Sequence, residues 1–507
     1  PIDSERLFNN LSFSNNKLFY IVAGDDEESN SGTLKYYDLK ETEEKVFMSN
    51  ISDFDIYSDK ILTCDKNNNL RLTSYNAPPT KEALNLPGFN SKSGLINLNR
   101  IKLEIDPIEE WKQMYSEAWR LQRDYFWVSN MSGINWKKVY DRYFVLIDRI
   151  ASRSEFSDLI WEMQGELGTS HCYEMGGDYK RRRNYHQASL GTDFEYDSSK
   201  KAYRIKKIFR GDYWENPKSP FITPGLNIKE GFYIRKINGN RLSEKTTPGH
   251  FLVNQVNSEI EIEILNDKFK KPENVTVKTI SNQMHLQYRD WVESNKEYVH
   301  KKSKNKIGYI HIPDMGPFGF AEFHRHFLSE ISYDGLVVDV RYNGGGHVSQ
   351  LLLSKLARKR LGYDLTRWMG TEPYPVESPG GPMVAITNEF AGSDGDIFSH
   401  SWKMMGLGKL IGKRTWGGVI GIWPRNSLVD GTMTTQPEFS FWFKDVGWGV
   451  ENYGAEVDIE VDNLPQDVNK GIDKQLDKAI DLVKKDLSKK NSVLKPDFSN
   501  KPNLKLP

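Results

Sequence analysis

The chain has 507 residues, long enough for about three or four domains rather than one core. Lys plus Arg and Asp plus Glu both total 69, so there is no basic field of the kind that nucleic acid or an anionic membrane selects. Two distant cysteines, Cys64 and Cys172, argue against a disulfide framework, and no apolar run approaches the length of a membrane-spanning helix. The start, PIDSERLFNN, lacks a secretory pattern, so a cytoplasmic protein is expected.

Residues 1–105 read as short strands between polar turns: KLFYIVAG, GTLKYYDL, EKVFMS, ISDFDIYS, KILTCD and LRLTSY. Strands this short and evenly spaced suggest β-propeller blades. There is chain for about two blades where a closed propeller typically has four or more. The segment is therefore either a small irregular sheet or the terminal blades of a propeller incomplete in this chain, and the abrupt beginning at Pro1 favours the second.

Residues 106–185 turn helical. PIEEWKQMYSEAWRLQRDYFW and WKKVYDRYFVLIDRIAS space their apolar residues as helix faces do. A third helix is expected over SEFSDLIWEMQGEL, with Ser154-x-x-Ser157 a weak capping box and Ser157-Asp158 as first-turn residues. It ends at Gly168, which places Ser170 and His171 of GTSH on a turn just beyond.

Residues 186–283 are strand-rich, and GFYIRKINGN closes on the Asn-Gly of a tight hairpin. The segment resembles a PDZ domain, whose strand after a loop such as SLGTDF adds a peptide end to the sheet edge. A small β domain without a ligand accounts for the same residues equally well.

From 284 to 490 strands and helices alternate: KIGYIHI, FAEFHRHFLSEI, GLVVDV, SQLLLSKLARK, PMVAIT and GDIFSHSWKMM. Near-continuous apolar strands in such alternation predict a covered, largely parallel sheet, with a site beyond the carboxyl ends of its strands. The amphipathic GIDKQLDKAIDLVKKDL precedes a Lys, Pro and Asn-rich tail, 491–507, expected to be disordered.

Two of these strands run into glycine-rich turns, RYNGGGH and NEFAGSDGD. Ser393 in the second opens a helix, where free amides and the helix dipole favour negative charge. It reads either as a nucleophile or as an ordinary N-cap. If the two strands are neighbours, the amides of Gly346 and Asp394 converge beside its hydroxyl, as an oxyanion hole requires. A phosphate cradle at NGGGH is less well supported, since neither nucleotide-binding glycine pattern is present.

Ten histidines compete for the role of base. His324 and His326 diverge on a helix and make a poor metal pair, and His400 lies two turns past Ser393. His171, on a tight loop beside a hydroxyl, is the better candidate, although a solvated loop histidine reads the same. Glu451 in GWGVENYG is a candidate to orient it, or else an exposed acid. Ser-Asp-Gly-Asp also reads as an acidic metal loop, but no second ligand cluster accompanies it.

GTSHCY, RYNGGGH, NEFAGSDGDIFSH, GKRTWGGVIGI, VDGTMTTQPEFSFWF and GWGVENYG, in this order and with a PDZ-like insert after the first, resemble the tricorn protease family. These are large archaeal, cytosolic relatives of the tail-specific, or C-terminal processing, serine peptidases. The resemblance implies a multidomain α+β chain: the last propeller blades (1–105), a helical subdomain with the catalytic His (106–185), a PDZ-like domain (186–283) and an α/β sandwich peptidase domain of ClpP/crotonase type (284–490). It implies a serine endopeptidase or peptide-trimming enzyme with Ser393 as nucleophile and His171 as base. Ser170 and Glu451 would complete a tetrad, and Gly346 and Asp394 an oxyanion hole. Asp364 in LGYDLTRW would favour basic P1 residues across a subunit contact. Also implied are oligopeptide substrates, hexameric assembly, a place between the proteasome and aminopeptidases, no nucleic-acid or membrane partner, and no metal or organic cofactor. A PDZ-type peptide-binding scaffold with an inert peptidase-like domain is the alternative.

Overall fold

A computed structural model describes residues 8–23, 32–179, 184–211, 218–266, 268, 270–489 and 492–505. The chain forms two compact units, divided between Asp106 and Pro107.

In the first unit, β1 (Phe8–Ser14), β2 (Lys17–Ala23), β3 (Gly32–Asp38), β4 (Glu43–Tyr57), β5 (Lys60–Asp65) and β6 (Leu70–Ser74) form one antiparallel meander in sequence order. The first hairpin turns on Asn15 and Asn16, both at positive φ, a conformation asparagine tolerates better than most residues. Phe19, Ile21, Leu34, Phe47, Ile51, Phe54 and Ile61 fill the core on one face. The topology is thus a single six-stranded sheet, and the expected separate blades are not what it shows. The long β4 joins what the sequence reading had divided: its first half pairs with β3 up to Ile51, and its second half pairs with β5 from Ile51 onward. A short helix, α1 (Lys81–Asn85), follows, capped by Thr80.

The second unit opens with α2 (Pro107–Tyr125), α3 (Trp136–Phe144) and α4 (Arg153–Gly165) around Trp111, Met114, Tyr115, Phe156 and Ile160. Ser152, not Ser154, caps α4. Its hydroxyl accepts the Glu155 N–H at 3.3 Å while the Glu155 carboxylate accepts the Ser152 N–H at 3.1 Å. Only the S-x-x-E spacing supplies the reciprocal acceptor a capping box needs. Ser157 instead bonds Glu174 from inside the helix. A two-strand ribbon begins with β7 (Glu174–Met175).

A β domain follows: β8 (Thr192–Asp197), β9 (Ala202–Ile208), β10 (Tyr233–Ile237), β11 (Asn240–Arg241), β12 (Glu259–Leu265) and β13 (Glu273–Lys278). The sheet order is β13-β12-β10-β9-β8, and β10 and β11 form the hairpin read from Asn238-Gly239, both at positive φ.

The last part comprises α5 (Met284–Ser303), β14 (Ile307–His311), α6 (Pro317–Glu330), β15 (Gly335–Asp339), α7 (Ser349–Leu356), the hairpin β16 (Gly362–Thr366) and β17 (Gly370–Tyr374), β18 (Met383–Thr387), α8 (Asp394–Met404), β19 (Gly408–Gly412), β20 (Met433–Thr434), β21 (Ile459–Glu460), α9 (Pro465–Val468) and α10 (Lys474–Leu487). The sheet β14-β15-β18-β19-β21 is parallel throughout, and β20 pairs with β7. Alternate side chains divide between two cores. Ile310, Leu336, Val338 and Leu410 pack with Phe323, Leu352, Phe398 and Trp402 of α6, α7 and α8. Tyr309, Val337, Val384 and Ile411 pack with Val292, Val299, Ile480 and Val483 of α5 and α10. Burial of each such side chain contributes about 1.5–3 kcal/mol, which is why these strands read as unbroken apolar runs.

Of the tail expected to be disordered, 491, 506 and 507 lie outside the described residues, and 492–505 form no helix or strand. The Leu494 carbonyl there accepts the Tyr363 hydroxyl at 2.7 Å. Among the described residues no helix is long and apolar enough to cross a membrane.

Candidate active site

β15 and β18 are direct neighbours, so the turns at their carboxyl ends, 340–348 and 388–393, lie side by side. Asn343, fully buried, ties them together. Its carbonyl accepts the Gly392 N–H at 3.0 Å, its Oδ1 accepts the Gly345 N–H at 2.9 Å, and its amide donates to the Ile312 carbonyl at 2.8 Å. Ser393 occupies the N-cap position of α8 with φ 58° and ψ −123°, yet its side chain makes no capping hydrogen bond. That conformation costs on the order of 1–3 kcal/mol for a residue with a Cβ, and it withholds the hydroxyl from the helix amides a capping serine would serve. Gly345 is needed opposite it, since a Cβ there would lie 2.4 Å from the Ser393 Cβ.

Most amides of these turns are spent, and those of Gly346 and Asp394 are among the few left free. Gly344, Gly345, His347 and Val348 all donate within the protein, as do Gly392, Gly395 and Asp396. Among the described residues, the N–H groups of Gly346 and Asp394 make no such bond. Gly346 sits at φ 148°, and a Cβ there would strike the Met315 carbonyl at 2.0 Å. The Asp394 side chain is engaged elsewhere: buried, it accepts the Ser349 N–H at 2.9 Å and hydroxyl at 2.5 Å, which locks the start of α7 onto α8. Its burial holds the carboxyl above the usual carboxylate range.

His171 follows α4 at φ 61°, also left-handed. The Ser170 hydroxyl lies 2.8 Å from its Nδ1 and donates to Glu451 Oε2 at 3.1 Å. Glu451 also accepts the amides of Ser170 at 2.7 Å, Val419 at 2.7 Å and Ile420 at 2.9 Å, so its carboxylate is saturated with donors. With Nδ1 engaged, Nε2 is the ring nitrogen left to take a proton. The rings of Tyr173 and Trp416 stand edge-on to the imidazole, each centroid 5.5 Å away. Burial lowers its pKa from the ordinary histidine value, and the Glu451 charge opposes that.

His171, Gly346, Ser393 and Asp394 line one cavity of about 870 Å³, walled by Trp416, Trp423 and Phe439. Among the described residues no hydrogen bond joins Ser393 to His171. Ser170 and Glu451 stand behind the imidazole. Asp364 is exposed on β16, opposite Glu372 of β17, and does not line the cavity. The sequence reading missed Asn343, Gly345, Trp416 and Asp396. Asp396, buried, accepts the Gly417 N–H at 2.8 Å and so holds the segment that carries Trp416. Asn343 precedes the triple glycine and Asp396 closes the Ser-Asp-Gly-Asp run, so both stood inside quoted motifs without a local sign of their task.

Residues 107–165 match the model of the tricorn protease C1 domain, 188–282 that of the tricorn protease PDZ domain, and 306–461 that of peptidase family S41. A tricorn protease homolog of Saccharolobus solfataricus is 44% identical over 96% of this chain and 45% of its own. The tricorn protease of Thermoplasma acidophilum is 45% identical over 76% of this chain and 36% of its own. The crystal structure of the tricorn protease superposes with a TM-score of 0.85 at 36% identity, over 95% of this chain and 47% of that one. The chain belongs to the tricorn protease family. It spans less than half the length of these tricorn relatives, 45% of the Saccharolobus protein and 36% of the Thermoplasma one. The tricorn S41 segment contains Ser393 and Glu451, whereas His171 precedes the tricorn PDZ segment.

Proposed function

We propose that this chain is a serine peptidase that cleaves oligopeptides through an acyl-enzyme. One observation carries the reading: Ser393 holds a strained N-cap position without capping, in the cavity that His171 also lines. His171 Nε2 takes the Ser393 proton as Oγ attacks the peptide carbonyl carbon. The electron pair displaced onto the carbonyl oxygen is met by the free amides of Gly346 and Asp394. Collapse breaks the C–N bond, the amine leaves with the proton from His171, and water repeats the sequence to release the acyl group. Ser170 and Glu451 hold the imidazole and offset the charge it acquires, which makes a Ser-His-Ser-Glu tetrad.

The rest of the reading rests on family membership. It comprises a homo-oligomer, hexameric by resemblance, in the cytoplasm, handling peptides between the proteasome and aminopeptidases. A preference of Asp364 for basic P1 side chains requires a second copy, since Asp364 is off the cavity of its own chain. By the same membership β1–β6 are read as the end of a propeller, a division into blades that their single six-stranded sheet does not mark.

The scaffold alternative has less support. In the loop that would receive a peptide carboxylate, the Gly191 N–H donates to Ser189 Oγ at 3.0 Å and the Thr192 N–H to Gln283 Oε1 at 3.2 Å. The chain's own side chains already occupy those donors. The test is turnover of fluorogenic peptides with basic or apolar P1 residues, together with fluorophosphonate labelling, for the wild type and Ser393→Ala. Loss of both signals in the variant is expected. Labelling or cleavage that survives Ser393→Ala overturns the assignment.

A further inference from the structure

We propose that Thr435 is a positioning residue for His171, an inference that rests on the peptidase reading. His171 has a backbone that resists its own conformation: φ is 61° on a residue with a Cβ, and something must hold it there. On the N-terminal side Glu451 grips the Ser170 amide. On the C-terminal side the His171 carbonyl itself is held by one hydroxyl, 264 positions away. Thr435 Oγ1 donates to the His171 carbonyl at 2.5 Å and accepts the Tyr173 N–H at 2.8 Å, so one oxygen spans the peptide planes on both sides of Cys172.

Thr435 is itself fixed on every polar atom. Its N–H donates to the Tyr173 carbonyl at 3.0 Å, and its carbonyl accepts Gln122 Nε2 at 2.9 Å. Gln122 also donates to Gln164 Oε1 at 2.8 Å, and Thr435, Gln122 and Gln164 are all at most 1% exposed. Water cannot replace a hydroxyl in so closed a site, and its removal leaves a buried carbonyl and a buried amide unpaired. The His171 turn then relaxes toward ordinary φ, which carries the imidazole away from Ser393. A displacement of about 1 Å costs on the order of a hundredfold in rate. Thr435 touches no substrate in this account; it acts through His171.

Three comparisons test it on the full chain. Thr435→Val removes the hydroxyl at nearly constant shape, and Thr435→Ser keeps it. With fluorogenic peptides, Thr435→Val is expected to lower kcat by roughly tenfold to a hundredfold with KM within about twofold, while Thr435→Ser stays within about threefold of wild type. Should Thr435→Val not fold, judged by near-UV circular dichroism, Thr435→Ala takes its place. The third comparison is the C2–H proton resonance of His171, assigned by its loss in His171→Gln. Its titration midpoint is expected to rise toward the ordinary histidine value in the hydroxyl-free variant and to stay put in Thr435→Ser. Unchanged kcat in a folded hydroxyl-free variant overturns the proposal, as does a Thr435→Ser that loses as much as Thr435→Val. If the wild type cleaves nothing, the peptidase reading fails, and the resonance alone decides whether Thr435 sets the His171 ring.

Discussion

Ser170 and Glu451, 281 positions apart, are joined twice: the Ser170 amide donates to Oε1 at 2.7 Å and its hydroxyl to Oε2 at 3.1 Å. The same carboxylate holds the amides of Val419 and Ile420. One side chain thus fixes both the turn that carries His171 and the segment after Trp416. Glu451→Gln keeps the shape but turns an NH2 toward N–H donors. It is expected to reduce kcat/KM at least about tenfold and to lower stability by about 1–3 kcal/mol. Peptide turnover and urea unfolding measure the two; wild-type values in both would remove Glu451 from the site.

Gly345 faces Ser393 at a separation no Cβ tolerates, and it sits at φ 77°. Gly345→Ala is therefore expected to displace the nucleophile and cut turnover by on the order of a hundredfold. The check is the rate of fluorophosphonate labelling of Ser393, which must fall in parallel.

Strain at Ser393 predicts a trade of stability for activity. Glycine adopts φ 58°, ψ −123° without a steric cost, so Ser393→Gly is expected to abolish turnover yet unfold at higher denaturant than Ser393→Ala, by about 1 kcal/mol. Equal midpoints for the two variants would mean that the turn is not strained.

Two groups predict pH dependence in opposite senses. Burial lowers the His171 pKa, and only the neutral ring accepts the Ser393 proton, so kcat/KM is expected to rise with pH through a midpoint below about 6.5. A limb centred above that value contradicts the burial argument.

Burial instead raises the Asp396 carboxyl from 3.8 to about 6. Between those values the native state holds the proton that the unfolded chain has lost. This contribution to stability is complete below about pH 4 and is lost as pH rises through about 6. Asp396→Asn removes the dependence, so its stability relative to wild type is expected to grow by up to about 3 kcal/mol between pH 4 and 7. Urea midpoints across that range decide it.

The local signals were legible where one stretch of chain contains its own reason. Asn238-Gly239 announced a hairpin, and the apolar runs of β14, β15 and β18 announced a sheet covered on both faces. Strand-then-glycine at RYNGGGH and NEFAGSDGD located the turns that carry Gly346 and Ser393, because the dihedral demands of a sharp turn are written in its own residues. What a stretch does with distant partners was not legible. Whether the Ser393 side chain caps its helix turned on its backbone angles, in a turn that Asn343 ties to its neighbour. Thr435 looked like any threonine in TTQ until the ribbon of β7 and β20 set it beside His171. Nor did short strands reveal that β4 continues through both of its pairings. Composition and order determine which elements form, since propensity and burial act over a few residues. Only the folded chain decides which hydroxyl meets which carbonyl, since hydrogen bonds demand a separation near 3 Å between groups that the sequence places hundreds of residues apart.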